Sequence, residues 1–331
     1  MKCIVTYQTP EKESKWNQLC LSNSNFVQST HYDSVSDFFH LTPIYFQIIN
    51  PENELIAGVK LYFYQSRFPL LKALSRRIMQ FGEVIYEQET HLEPSVQILE
   101  KEINQFIQKN KIVEYVCDNY YGGIDKLIKL AIPPKKSRKY VMGFVDLENS
   151  EIPKDFNRNT KRNILKGEEA QLVIQKDTID FFYFIQLIYK THLGKANPNY
   201  IRHYQEHTKD FNASFYCYDK EELVATVFDI YYGKFAYSSF GRTLSNDVGA
   251  GQFMYAEVMQ QAKNAGYHRY YFGQLDYLNK YSDKKSEGIS IFKRGFRCIE
   301  IPSEKNEYIV RPFYHFCWKL FLRMNKFKNQ L

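Results

Sequence analysis

"NDVGAGQFMYAEVMQQAKNAGYHRYYFG", residues Asn246–Gly273, sets two glycines around an alanine, continues with apolar residues at helical spacing, stops at a glycine and resumes in aromatic residues. The pattern predicts a turn through Gly249–Gly251 and a helix from Gln252 whose apolar face is Met254, Val258, Ala262 and Ala265. Gly266 stands where a helix ends, and "HRYYFG" returns as a strand. Strand, glycine turn, helix, strand is the setting of a phosphate cradle, because the first N–H groups of the helix and its positive dipole end face the turn. Glycine also starts and stops helices of every kind, so the spacing leaves punctuation and cradle equally open.

Working outward, "SFYCYDKEELVATVFDIYYGKFAYSSFG" reads as a three-strand meander with turns at Asp219-Lys220-Glu221 and Tyr232-Gly233-Lys234. Helices are predicted at 157–169 and 178–192. In the first half, Trp16–Leu21 reads as a helix, and "TPIYFQIINPENELIAGVKLYFYQ" as two strands around Asn50-Pro51-Glu52-Asn53. "LEPSVQILEKEINQFIQKNK" reads as an amphipathic helix; "IVEYVCDN" and "YVMGFVDL" are strands on either side of the basic connector Ile132–Tyr140. Strand runs followed by one helix and another strand point to a mixed α/β (α+β) sheet in each half rather than a long doubly wound parallel sheet. A chain of 331 residues fits two domains. The layout places them at 1–150 and 151–310, followed by a C-terminal helix over 311–331.

Hydrophobic residues make up 44% and charged residues 24%, a globular composition, and no run approaches the roughly 20 apolar residues that span a bilayer. Charges appear too early in "MKCIVTYQTPEKESKW" for a signal peptide, so a cytoplasmic location is expected. The six cysteines are scattered without a CxxC pair, which fits reduced, mostly buried thiols. The net charge of +7 is concentrated: "RPFYHFCWKLFLRMNKFKNQL", residues 311–331, supplies five of the seven charges and contains no acid. Phe313, Phe316, Cys317, Leu320, Met324 and Phe327 recur at three- and four-residue steps, with His315, Lys319, Arg323 and Lys326 on a second line. Such a helix either lies on an anionic membrane or docks on its own domain with a solvated basic edge.

Three further stretches could carry chemistry. In "KDFNRNTKRNILKGEEA", Lys154, Arg158, Arg162 and Lys166 stand four apart, on one helical face, with Lys161 beside them; like charges at that spacing suit an anionic ligand or a solvated face. In "ISIFKRGFR", Lys293 sits between aromatics, where a partly desolvated amine could stabilise developing negative charge. "FGQLDY" places Gln274, Asp276 and Tyr277 at a strand end, able to orient a substrate or accept a proton. His203 and His207 flank Glu206 as HYQEH rather than HExxH, with no third ligand, so no metal is expected. Walker, GxSxG and GxGxxG motifs are absent from the sequence.

Taken in order, these blocks resemble the FemAB-type (Fem-type) peptidyltransferases and the related CelD-like acyltransferases, which are built on tandem GNAT folds. The resemblance rests on "NRNTKRNILKGEEAQLVI", on "FAYSSFGRT" followed by the glycine-led helix ending "AKNAGYHRYYFG", on "FKRGF", and on Gln28, Ser29 and Tyr32 of "NFVQSTHYDSV"; it covers most of residues 14–302. Ser36 stands where members that bind nucleotide-linked wall precursors tend to carry a lysine, and Asn246 where the GNAT turn usually has Arg or Gln.

The resemblance implies tandem GNAT-like domains, each with a mixed, mostly antiparallel sheet flanked by helices. It also implies transfer of an acyl or aminoacyl group to an amine of a cell-envelope precursor such as a peptidoglycan intermediate, in the cytoplasm or on the inner face of the membrane. The donor would be acyl-CoA or aminoacyl-tRNA, with no tightly bound cofactor. On that basis Lys293 and Asp276 are expected to be catalytic, and Gly249, Ala250, Gly251 and Arg242 to hold the donor. Arg158, Lys161, Arg162, Phe292, Tyr237 and Gln274 are expected to meet the substrate. The competing expectations are a degenerate GNAT-like module that binds nucleic acid or acidic lipid, and a small-molecule N-acetyltransferase.

Overall fold

The structure is a computed structural model that describes residues 1–11, 13–119, 127–177, 180, 197–244, 248–277 and 284–328. Asn246 and the predicted helix at 178–192 lie outside the described residues, apart from residue 180. The chain forms two compact units, one of residues 1–139 with 303–331 and one of residues 140–302. The boundaries therefore fall at 139/140 and 302/303, where the sequence layout put them at 150/151 and 310/311. The second difference has a clear origin: the strand before the C-terminal helix pairs within the first unit, and the helix follows it there.

In chain order the first unit contains β1 (Lys2–Thr6), α1 (Lys15–Ser22), α2 (His31–Ser36), β2 (Thr42–Ile49), β3 (Leu55–Tyr64) and α3 (Lys72–Ser75). β4 (Arg77–Phe81), β5 (Ile85–Tyr86), α4 (Glu89–Lys109) and β6 (Glu114–Asp118) follow. β7 (Lys136–Asp146) carries the chain across the first boundary. The second unit then holds α5 (Arg158–Glu169), β8 (Val173–Lys176), α6 (Pro198–Thr208), β9 (Asn212–Asp219), β10 (Glu222–Tyr232) and β11 (Phe235–Thr243). It continues with α7 (Ala250–Asn264), β12 (Arg269–Tyr277) and α8 (Lys284–Arg294), and β13 (Ile299–Ile309) and α9 (Pro312–Lys328) return to the first.

In the first unit the strands run β1-β2-β3-β4-β6-β13, with β5 on β3, and among the described residues only β4 and β6 are parallel. That parallel step needs a crossover, which α4 supplies. Its buried residues Leu99, Ile103 and Ile107 fall four apart, so one stripe meets Ile44, Phe46, Val59, Leu61 and Ile78 of the sheet. The β2–β3 turn is where it was expected; Asn53 takes a left-handed φ of 63° there, and the Asn50 side chain accepts the Glu54 N–H at 2.8 Å.

The second unit repeats the plan with the order β7-β12-β11-β10-β9-β8, and among its described residues only β11 and β12 are parallel. Each unit is thus a mixed, mostly antiparallel sheet flanked by helices. The meander β9–β10–β11 has its turns at Lys220 and Gly233, both with positive φ. The crossover helix α7 begins at Ala250, two residues before the sequence reading placed it, and ends at Asn264, two residues ahead of Gly266 with its φ of 86°. Met254, Val258 and Ala262 are buried as expected, together with Phe253, Ala256 and Met259; Ala265, predicted on the same face, is exposed because the helix has already ended there.

Candidate active site

The parallel register of β11 and β12 stops at Tyr237 opposite Tyr271, although β11 runs on to Thr243 against β10 and β12 to Tyr277 against β7. The two tyrosine rings stack at this last rung, 5.3 Å apart, and Phe144 stacks on Tyr271 at 5.2 Å. Beyond it, backbone groups of β12 need other partners. Lys293 of α8 provides them: its Nζ donates to the carbonyl of Phe272 at 2.7 Å and to that of Gln274 at 2.9 Å. Burial pulls this ammonium down from 10.5 to about 8, with Cys298 pulling the other way. Cys298 in turn donates its thiol to the Lys293 carbonyl at 3.1 Å.

Two further helices, α5 and α7, meet the α8 segment at Gly295 and Phe292, close in sequence to this lysine. Asn157 caps α5 by accepting the Thr160 N–H at 2.8 Å, and its own N–H reaches the carbonyl of Gly295, just past α8, at 3.0 Å. Further along α5, the carbonyl of Asn163 lies against Gly249, where an added Cβ would sit 2.0 Å from that oxygen. Gly249 also has φ 70°, so close approach and backbone conformation both require glycine. A Cβ on Gly251 would come within 2.5 Å of Thr243 Oγ1 and 3.3 Å of the Phe292 ring. Packing of α7 on α5, β11 and α8 thus accounts for both glycines, and Gly249, Ala250 and Gly251 are all buried.

The remaining predicted residues fall into distinct environments. Arg242, at the end of β11, is half-buried, and its Nε is buried without a hydrogen-bond partner among the described residues. Asp276 is tied through Oδ2 to Arg294 at 3.2 Å, while its Oδ1 is buried and has no hydrogen-bond partner among the described residues. Phe292 packs edge-on to Tyr255 and Phe296, so it belongs to the aromatic core as much as to a substrate surface. Tyr237 is buried, and Gln274 is held by its carbonyl. On α5, Arg158 and Arg162 are exposed and Lys161 donates to the Lys154 carbonyl at 3.0 Å. Lys154 itself precedes the helix and pairs with Glu151 at 2.6 Å, so the predicted four-residue basic line begins only at Arg158.

Glu206 is paired with Arg202 at 2.8 Å, and the His203 and His207 rings face each other at 4.2 Å. Among the described residues no group of three or more His, Cys, Asp or Glu could hold a metal. A cavity of about 400 Å3 opens elsewhere in the unit, lined by Lys176, Asp210, Phe211, Tyr231 and Tyr267, and none of the predicted site residues lines it.

Two buried polar clusters were not predicted. In the second unit Asp229 is fully buried at the bulge between Phe228 and Asp229, accepts from Tyr270 at 2.8 and 3.0 Å, and burial pushes its carboxyl well up. In the first unit Lys60 is fully buried; its Nζ donates to Asp33 at 2.7 Å and to the Ser29 carbonyl at 2.5 Å, while Tyr45 donates to the same carboxylate. Burial pulls the Lys60 ammonium down and Asp33 opposes it. Gln28 completes this brace, accepting from Lys60 N–H at 2.6 Å and donating to the Phe81 carbonyl at 2.6 Å. Ser36 is buried and donates to the Asp33 carbonyl at 2.8 Å. An acid inside "VFDIYY" and a lysine inside "GVKLYFY" were the available signals, since charges in apolar strands are kept only when paired.

No protein-family profile matches the sequence, and no curated protein does. Solved structures do match the fold. FemX is similar over 96% of this chain and 99% of its own, with a TM-score of 0.70 at 12% identity. The C-terminal domain of a putative lysylphosphatidylglycerol synthetase from Agrobacterium fabrum covers 92% of this chain and 95% of its own, with a TM-score of 0.54 at 11% identity. A tandem GNAT protein from the clavulanic acid biosynthesis pathway covers 92% and 98%, with a TM-score of 0.53 at 7% identity. The chain has the tandem GNAT fold that these structures share.

Proposed function

We propose that residues 140–302 form the catalytic unit of an acyltransferase that moves an acyl or aminoacyl group from acyl-CoA or aminoacyl-tRNA to an amine of a cell-envelope precursor. The observation that carries this reading is Lys293, a partly desolvated ammonium fixed by two carbonyls where β11 and β12 part. In the transfer the amine nitrogen attacks the donor carbonyl and an oxyanion forms. The C–N bond is kept as the C–S bond of the thioester, or the C–O bond of the tRNA ester, breaks. A preorganised ammonium beside that oxyanion stabilises it more than the neutral carbonyl. The free Oδ1 of Asp276 is the acceptor assigned to the proton the amine loses.

Donor binding is assigned to Arg242, whose Nε has no protein acceptor among the described residues, and to the start of α7 at Gly249–Gly251. Arg158, Lys161 and Arg162 meet phosphates of donor or acceptor, with Tyr237, Gln274 and Phe292 shaping the substrate side. The names FemX and lysylphosphatidylglycerol synthetase support an envelope precursor or lipid as acceptor and an aminoacyl donor; the clavulanic acid pathway protein supports acyl-CoA. A cytoplasmic position at the inner face of the membrane suits such an acceptor, and no described helix is long and apolar enough to cross a membrane.

Lys293→Ala is expected to lower turnover roughly 100-fold or more, on the scale of one lost oxyanion donor, with the circular dichroism spectrum retained. Unchanged turnover would remove the assignment. Thermal shifts with acetyl-CoA and with aminoacyl-tRNA decide the donor. The exposed arginines of α5 also suit a module that only holds nucleic acid, and salt-sensitive RNA binding with no transfer to any amine would select that reading.

A further inference from the structure

The C-terminal helix α9 has two unlike faces. On one, Trp318 is buried with the Arg77 guanidinium 5.3 Å from its ring, Phe321 stacks on it at 5.8 Å, and Cys317 is partly buried, so this face docks on the first unit. On the other, Phe313 (72% exposed), Phe316 (64%), Leu320 (47%) and Met324 (58%) stand in water. At the α-helical turn angle these four fall within an arc of roughly 80°. Exposed Lys319 and Arg323 run along one edge of that arc. Single exposed apolar residues are ordinary, but a continuous line of large ones marks a surface that is covered in use.

The charge around the line says by what. Residues 311–331 hold five basic residues and no acid. A second copy laid on the same face would bring like charges together, whereas an anionic lipid surface offers the opposite charge and an apolar layer beneath it. We propose that α9 is an interfacial anchor that lies on an anionic bilayer, with Phe313, Phe316, Leu320 and Met324 at the acyl boundary and Lys319 and Arg323 at the headgroups. The docked face holds the first unit to the helix while the exposed face holds the helix to the lipid. This inference does not depend on the proposed chemistry.

The test is co-sedimentation of the full chain with vesicles of equal parts phosphatidylglycerol and phosphatidylcholine, and with phosphatidylcholine alone. Binding is expected to the anionic vesicles, weakened by salt, and little to the neutral ones. Lys319→Ala with Arg323→Ala should weaken it roughly 30-fold, at about fivefold per basic residue near the surface. Phe316→Ser with Leu320→Ser should weaken it roughly tenfold or more. The charge variant leaves the Trp318 face intact, so it reads out binding even where the serine variant is poorly folded by circular dichroism. Failure to bind anionic vesicles, or binding that both variants leave undiminished, overturns the proposal. So does a dimer in solution that the serine variant dissolves while the protein ignores vesicles, since the occupant would then be a second copy.

Discussion

Lys293 is the residue on which chemistry and stability can be separated. Its ammonium is lowered from 10.5 to about 8, so the charged form is lost as pH rises through about 8. If the charge stabilises the oxyanion, the transfer rate falls above about pH 8 for a reason unrelated to the amine acceptor, which becomes a better nucleophile there. Stability moves the other way. Between about 8 and 10.5 the folded protein binds fewer protons at this site than the unfolded chain, so the cost of the buried ammonium is present below that window and disappears as pH rises through it. The advantage in melting temperature of Lys293→Met over the parent, measured from pH 7 to 10, is therefore expected to shrink as pH rises, while the parent's rate declines. A rate that follows the melting temperature upward would make Lys293 a purely structural clamp on the carbonyls of Phe272 and Gln274.

At the scale of elements, the turn before α7 is a packing joint as much as a ligand site. Gly249→Ala has to place a methyl 2.0 Å from the Asn163 carbonyl in a left-handed backbone, so α5 and α7 must move apart. The conformational term alone is about 1–3 kcal/mol for a non-glycine residue in such a region. Urea denaturation is expected to show a loss of at least that size, and a neutral result would mean that the turn is looser than its contacts imply. This joint also shows what could be read from the chain. The 3.6-residue spacing of Met254, Val258 and Ala262 and the two flanking glycines made α7 legible, as alternation and turn residues did for the β9–β11 meander. The reason for the glycines was not legible, because it lies in contacts with Asn163 and Phe292, distant in sequence, and with Thr243 at the end of the preceding strand. The same holds for Lys293: its place in the motif marked it, but the carbonyls that fix it belong to β12, and only tertiary structure joins them. The partner of Asp276 is 18 residues away on α8, a separation with no local signature.

At the scale of the whole molecule, the second unit is one continuous stretch while the first is closed by the chain's return. β13 completes the first unit's sheet by pairing Lys305–Ile309 with Asp118–Glu114, buries Tyr308 in a stack 5.6 Å from Tyr115, and adds the Lys305–Asp118 ion pair at 3.0 Å. α9 then buries Trp318. Losing a buried Trp alone costs about 3–5 kcal/mol, against a typical total of about 5–15 kcal/mol. A chain ending at residue 302 is therefore expected to unfold in residues 1–139 while residues 140–302 keep their hydrogen-exchange protection. A chain ending at 311 keeps β13 and is expected to lower the stability of the first unit without abolishing it. Peptide-level hydrogen exchange on both truncations distinguishes the outcomes. Protection retained throughout residues 1–139 in the shorter chain would show that the first unit does not depend on β13 and α9. Loss of protection in residues 140–302 as well would mean that the continuous unit draws stability from beyond its own sheet and helices.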